Sequence, residues 1–302
     1  NIDVTFPLGL LCVVCGRSGS GKSSLIHDTL HGAVVRELSK SQKDSERSGS
    51  QPQTLPFQAV LGTSDVQDCL LVDQSPISRS PRSCPVTYAK AFDEIRKAFA
   101  ETVDARIRNF KPGHFSFNSA AGQCEACEGA GVQTIDMQFL ADVSMRCPQC
   151  RGHRYRDEVL QVRYRDRTIA DVLEMTVRDA YGFFRGLAKT QARLKRLIDV
   201  GLDYVALGQP GTTLSSGEGQ RLKLASFLAS SSRRKTLFLM DEPTTGLHPA
   251  DVERLLACFD ALIADGHSLV VVEHHPMVIR AADHVIELGP GAGDEGGQLI
   301  RG

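Results

Sequence analysis

The segment Gly16-Arg17-Ser18-Gly19-Ser20-Gly21-Lys22-Ser23 matches the phosphate-loop pattern G-x-x-x-x-G-K-[ST], which constrains the fold more than any other stretch of the chain. A short apolar run, Leu10 to Cys15, reads as a buried strand entering it, and Ser24 to Leu30 as the start of a helix leaving it. Such a loop wraps backbone N–H groups and a helix N-terminus around an anion. The expected phosphate-binding set is Gly16, Ser18, Gly19, Gly21, Lys22, Ser23 and Ser24, with Lys22 on the terminal phosphates and the Ser23 hydroxyl on Mg²⁺. The alternative, a Gly/Ser-rich turn without a ligand, does not account for strand, motif and helix falling in register.

Further apolar runs extend the pattern. Leu70-Leu71-Val72, Thr236 to Met240 and Ser268 to Val272 are short and rich in Val and Leu, as strands buried on both faces are. Ala250 to Ala264 carries helical spacing between the last two. The fold class is therefore α/β, a doubly wound nucleotide-binding domain interrupted by an insertion. The expected division is core at 1–75, an inserted domain at 76–200, and core again at 201–302. Ser39 to Thr54 is polar and aperiodic and reads as a mobile surface loop. The chain opens at Asn1, with Ile2 to Val4 strand-like, and reads as a piece of a longer protein or a mature fragment. No apolar run approaches the roughly 20 residues of a membrane span. The net charge of −1 is uninformative, but 76–170 holds 15 Lys/Arg against 11 Asp/Glu while the rest holds 20 against 25.

The strand Leu237 to Met240 ends in Asp241-Glu242. A carboxylate at that tip can hold Mg²⁺, the role expected of Asp241, and the adjacent Glu242 is the candidate general base. The next strand ends in Glu273-His274, where His274 can bond a γ-phosphate and His275 reads as an exposed neighbour. Ser215-Ser216-Gly217-Glu218 opens another helix and reads as a second phosphate-binding end. Of nine cysteines, four form Cys124-x-x-Cys127 and Cys147-x-x-Cys150, 19 residues apart, a spacing suited to a closed tetrahedral Zn²⁺ site on a hairpin around Thr134 to Met145. A redox dithiol is the weaker alternative. Cysteines in this pattern without a secretion signal indicate a reducing, cytoplasmic compartment.

In this order, the phosphate loop, Gln74, Leu214 to Glu218, Leu237 to Glu242 and His274 resemble an ATP-binding cassette (ABC) ATPase. The resemblance implies that Gln74 senses γ-phosphate and Mg²⁺ and that His274 is the switch histidine. It also implies that Ser215, Gly217 and Glu218 contact an ATP held by a different cassette. Ser216 stands where the family's signature has Gly; its Cβ disfavours positive φ and is expected to weaken backbone approach to the γ-phosphate, an impairment at most because Ser215 and Gly217 remain.

The Cys₄ module at about 120–156 narrows the resemblance. With Asp73 to Pro85, Lys111 to Asn118, Leu207 to Pro210 and Asp241 to His248, the chain is similar throughout to the second, C-terminal cassette of the UvrA family of excinuclease components. That implies an ATPase, not itself the nuclease, that recognises damaged double-stranded DNA in bacterial nucleotide excision repair within the SOS response. It implies partnership with a second cassette, in the same polypeptide or a second copy, and with a UvrB-type helicase-like protein. Its cofactors would be ATP, Mg²⁺ and Zn²⁺. Arg79, Arg82 and Lys111 are the expected DNA-phosphate contacts, and Arg146, Arg151, Arg154 and Arg156 weaker candidates. The alternative is a UvrA-like paralogue in drug self-resistance, binding drug-bearing DNA without supporting excision.

Overall fold

The computed structural model describes residues 2–41, 54–75, 77–78, 80–135, 143–229 and 234–302. In chain order the elements begin with β1 (Leu11–Gly16), α1 (Lys22–Leu25), a π-helical turn (Ile26–His31), α2 (Gly32–Ser41) and β2 (Asp68–Val72). Helices α3 (Pro85–Tyr88), α4 (Phe92–Ala100) and α5 (Val103–Ile107) precede the hairpin β3 (Val132–Ile135) and β4 (Val143–Arg146). Next come α6 (Asp157–Leu160), α7 (Ile169–Glu174), α8 (Val177–Phe183), α9 (Ala188–Asp199) and α10 (Ser216–Ala229). The chain closes with β5 (Thr236–Asp241), α11 (Pro249–Ala264), β6 (Ser268–Val272), α12 (Pro276–Ala281), β7 (His284–Gly289) and β8 (Gln298–Arg301). No described helix is long and apolar enough to cross a membrane.

Two compact units result: Asn1–Ser75 with Ser231–Gly302, and Pro76–Ser230. The first is built on a six-stranded sheet of order β2-β5-β6-β1-β7-β8, parallel except for the antiparallel edge strand β8. Every residue of β6 is buried, which explains the unbroken apolar run Ser-Leu-Val-Val-Val. Cys12, Val14, Leu237, Leu239, Val270, Val272, Ile286 and Leu288 form one core, closed by Ile26 and Val34 from the helical run after the phosphate loop. Helix α11 packs on β6, and α12 on β1.

Ile2, Val4 and Phe6 form no strand; they lie half-buried against that core, apolar contact without ladder pairing. Of the stretch Ser39 to Thr54 expected as a polar loop, Ser39 to Ser41 belong to α2, and residues 42–53 lie outside those described. Strands β7 and β8 went unread because a mixed pattern such as His-Val-Ile-Glu-Leu-Gly lacks a clean apolar run.

The second unit is helical around an aromatic core. Phe99, Phe115, Phe117, Phe184 and Tyr155 are fully buried, and the Tyr155 hydroxyl donates to the Phe115 carbonyl at 3.0 Å. The boundary expected at residue 200 falls inside this unit, because α10 packs on α9 and α3. The segment 201–230 follows those helices rather than the sheet. A Cβ on Gly219, in the first turns of α10, would meet Ile77 at 3.5 Å, ordinary contact. Gly219→Ala should therefore stabilise the protein by up to about 1 kcal/mol through helix propensity, read as a rise in Tm.

Candidate nucleotide site and cysteine centre

The phosphate loop leaves β1 at Gly16, whose φ is 138° and where a Cβ would lie 2.1 Å from the Leu288 carbonyl oxygen of paired β7. Only glycine fits that strand end. Gly21 sits at the helix N-cap with φ 94° and no side-chain cap, so the first amides of the helical run face an open cradle. Lys22 is buried, its Nζ donating to the carbonyls of Gly16 at 2.9 Å and Arg17 at 2.7 Å. Burial pushes its pKa down, against the opposing pull of Glu242 and Asp241. Ser20 Oγ is buried without a protein partner. Glycines that a Cβ would obstruct, a desolvated ammonium and an orphan hydroxyl fit a polyphosphate. Ser18, Gly19, Ser23 and Ser24 are exposed on the same loop and first turn.

The parallel ladder brings the other expected residues to this edge. Asp241 ends β5; burial raises its pKa, with His27 and Lys22 opposing. His27 Nε2 stands 3.5 Å from Asp241 Oδ2, a neighbour that the sequence reading missed. It becomes adjacent through the π-helical turn, a feature often found at functional sites. Gln74 is exposed just beyond β2, the strand paired with β5.

Glu242 has a left-handed backbone, φ 46°, uncommon for a residue with a Cβ. Its N–H donates to the Val272 carbonyl at 2.9 Å, and its carbonyl accepts from Thr245 at 3.1 Å. Its Oε1 lies 3.7 Å from Nε2 of His274, so the candidate base and the switch histidine are neighbours. Glu273, also missed, is buried at the end of β6. Its Oε1 accepts the Thr244 N–H at 2.9 Å and the Thr244 hydroxyl, and its Oε2 accepts the N–H groups of His274 at 2.8 Å and His275 at 3.0 Å. An acid closing an all-apolar buried strand was the available signal. His275 is half-buried, and its Nδ1 caps α12 at Met277 N–H, whereas His274 is the exposed one of the pair.

In the second unit, Ser215 and Glu218 form a reciprocal helix cap. The Ser215 N–H donates to Glu218 Oε2 at 2.8 Å, and the Glu218 N–H to Ser215 Oγ at 3.3 Å. The Tyr204 hydroxyl takes the other oxygen, Oε1, at 2.7 Å. Burial works to raise the Glu218 pKa, but these hydrogen bonds outweigh it and the net shift is downward. Gly217 is buried in the first turn of α10. Ser216 is exposed, opens α10, and is not among the described residues with positive φ, so the steric objection to Ser at this position disappears.

Cys124, Cys127, Cys147 and Cys150 are buried free thiols whose sulfurs all lie within 4.8 Å of one another. Two Sγ pairs stand at 3.9 and 3.6 Å. Zinc–sulfur bonds of about 2.3 Å at tetrahedral angles require about 3.8 Å between sulfurs, so the cluster fits that ion. Pairing of Val132 with Arg146 carries the second Cys pair to the first. Gly129, at φ 80°, is obligatory because a Cβ would fall 1.7 Å from the Phe117 carbonyl oxygen.

The arginines divide. Arg154 is buried, its guanidinium 5.1 Å from the Phe117 ring centroid and bonded to the Gly208 carbonyl at 3.0 Å. Arg156 ties the Ala120 and Gln123 carbonyls and Glu125 together. Both are tied into the fold by these contacts. Arg82 pairs with Glu128 at 3.2 Å, Lys111, Arg146 and Arg151 are exposed, and Arg79 lies outside the described residues. Arg106 and Arg108, unread in the sequence, are exposed a few residues before Lys111 in the chain.

Strand order, phosphate loop, acid-tipped β5 and the strand-end histidine define a P-loop nucleotide-binding domain, and the separate Ser215–Glu218 helix start makes it an ABC-type cassette. No protein-family model matches the chain. UvrABC system protein A of Streptococcus pyogenes serotype M1 is 47% identical over 300 residues, 99% of this chain and 31% of that protein. Its counterpart in Clostridium tetani is 45% identical over the same shares. The crystal structure of UvrA2 from Deinococcus radiodurans superposes with a TM-score of 0.86 at 44% identity, over 99% of this chain and 35% of that one. Along nearly its whole length the chain is similar in sequence and fold to a stretch of these UvrA proteins, and it spans about a third of the length of the curated relatives it matches.

Because Ser216 already has ordinary helical backbone at an exposed position, Ser216→Gly should leave nucleotide turnover within about twofold of the parent, measured as steady-state phosphate release.

Proposed function

We propose that the chain is the ATP-hydrolysing cassette of a DNA-damage-recognition protein in nucleotide excision repair, paired in action with a second cassette. The observation that carries the ATPase reading is the 3.7 Å approach of His274 to Glu242 at the sheet edge that bears the phosphate loop. Lys22 and the loop amides would bind the β- and γ-phosphates, and Ser23, Asp241 and Gln74 would hold Mg²⁺, which neutralises phosphate charge. Glu242 accepts a proton from water as the water oxygen bonds the γ-phosphorus and the bond to the ADP oxygen breaks. His274 donates a hydrogen bond to the γ-phosphate oxygens. Ser215 and Gly217 would face the nucleotide of the partner cassette, while Glu218, with both oxygens engaged within its own unit, orders that helix start.

The four thiolates would close a structural Zn²⁺ site. Nine free thiols are in keeping with a reducing cytoplasm. DNA contact is assigned to Arg79, Arg82 and Lys111, extended to Arg106 and Arg108, through phosphates rather than base edges. A UvrB-type partner follows from the similarity to UvrABC system protein A alone.

In the complete protein, Glu242→Gln should bind ATP as the parent does yet turn over at least about 100-fold more slowly; normal phosphate release would remove Glu242 from the role of base. Alanine at Arg82, Arg106, Arg108 and Lys111 should flatten the log-affinity against log-salt plot on duplex DNA by about 0.9 for each phosphate no longer neutralised. An unchanged slope would move the DNA face elsewhere.

A further inference from the structure

We propose that Glu273 is a positioning residue for hydrolysis, a buried bracket that sets the distance between the base Glu242 and the switch histidine His274. The inference rests on the ATPase reading above. Glu273 lies at the junction of three strand ends. Its own N–H donates to the Val14 carbonyl at 3.1 Å, next to the strand end that becomes the phosphate loop. Its Oε1 holds Thr244, two residues beyond Glu242, and its Oε2 holds the amides of His274 and His275. One carboxylate thus accepts four hydrogen bonds from two segments that carry the two proposed hydrolytic groups.

The arrangement answers a specific need. Glu242 is held in a left-handed conformation that a residue with a Cβ adopts only under constraint. Its backbone ties to Val272 and Thr245 fix the near side of the turn, and Glu273 fixes the far side through Thr244. His274 projects from the same carboxylate's other oxygen. Both carboxylate oxygens act only as acceptors, so every bond in the bracket is satisfied at once. An amide has one accepting oxygen, and its NH₂ would confront N–H donors at the other end. Glu273→Gln keeps the shape of the residue while releasing one of the two segments.

The test compares Glu273→Gln with the unmodified full chain. We expect kcat for ATP to fall about 100-fold, the scale of a misplacement near 1 Å, while binding of a fluorescent ATP analogue stays close to the parent and the Tm drops by only a few degrees, the cost of the released N–H donors. Amide hydrogen exchange, read by mass spectrometry, should speed up at Thr244, His274 and His275 and stay slow within β6. Added to Glu242→Gln, the change should cost no further turnover, because the two act through one step. Equal loss of nucleotide binding and turnover would mark a merely structural residue and overturn the proposal, as would parental kcat or unchanged exchange. If Glu273→Gln does not fold, Thr244→Val, which removes a single donor, must show the same split between kcat and binding in milder form, and a Thr244→Val at parental kcat would overturn the proposal. An unmodified protein that binds but never hydrolyses ATP would instead overturn the function proposed above, with the exchange pattern still reporting on the bracket.

Discussion

The pairing of β1 with β6 and β7 in one parallel ladder is the constraint on which the nucleotide-binding unit depends. Val13 stands in register with Val271 and Val285, and Val13 and Val271 have no access to water. Because β1, β2, β5, β6 and β7 point the same way, the residues that follow them emerge at one edge. Gly16, Gln74, Asp241 and His274 share that edge although they span most of the chain. Their convergence is a consequence of strand direction, and no contact among them is needed to bring it about.

That edge is electrostatically demanding. Lys22 is driven toward its neutral form by burial and Asp241 toward its protonated form by the same cause. Asp73 and Glu273 add negative charge near Asp241, while His27 and Lys22 counter it. A polyphosphate compensates Lys22, and a dication compensates the acids, so the two ligands relieve opposite penalties. Ligand and fold are linked through this desolvation.

The legible parts of the sequence were those whose physics is local or strictly periodic. The phosphate loop, β6, α11 and the cysteine spacing each carry their own signal within a few residues. Glu273 and His27 were missed because their roles arise across the ladder and around a π-helical turn, neither of which leaves a mark in spacing. Ser216 opens α10 without a positive φ, a backbone state that the family's Gly at this position does not reveal in the sequence. The boundary at 200 failed for a related reason: segment 201–230 lies between α/β signals in sequence, yet its helix packs on α9 and α3. Arg154, a weaker DNA-contact candidate by its place near the second Cys pair, lies buried with its guanidinium over Phe117, a packing partner that sequence position does not reveal.

The cysteine centre obeys a different economy from both cores. Its four sulfurs cluster with only Ala130 as an apolar neighbour among the described residues, so burial of hydrocarbon cannot hold the two knuckles together. Hairpin β3–β4 has four paired positions, and a lone two-stranded ribbon is marginal in water. Ties at the cysteines themselves include the Cys124 N–H to the Arg154 carbonyl at 2.8 Å, the Cys147 N–H to the Gly131 carbonyl at 3.0 Å, and the Gly131 N–H to Cys127 Sγ at 3.2 Å. Four thiolates at such separations repel one another unless a cation sits among them. Apparent zinc affinity in small modules, about 10–16 kcal/mol, exceeds what those hydrogen bonds supply at about 1 kcal/mol each. The aromatic core holds its part of the second unit by packing, and the ion proposed for the cysteines would hold the part that packing does not reach.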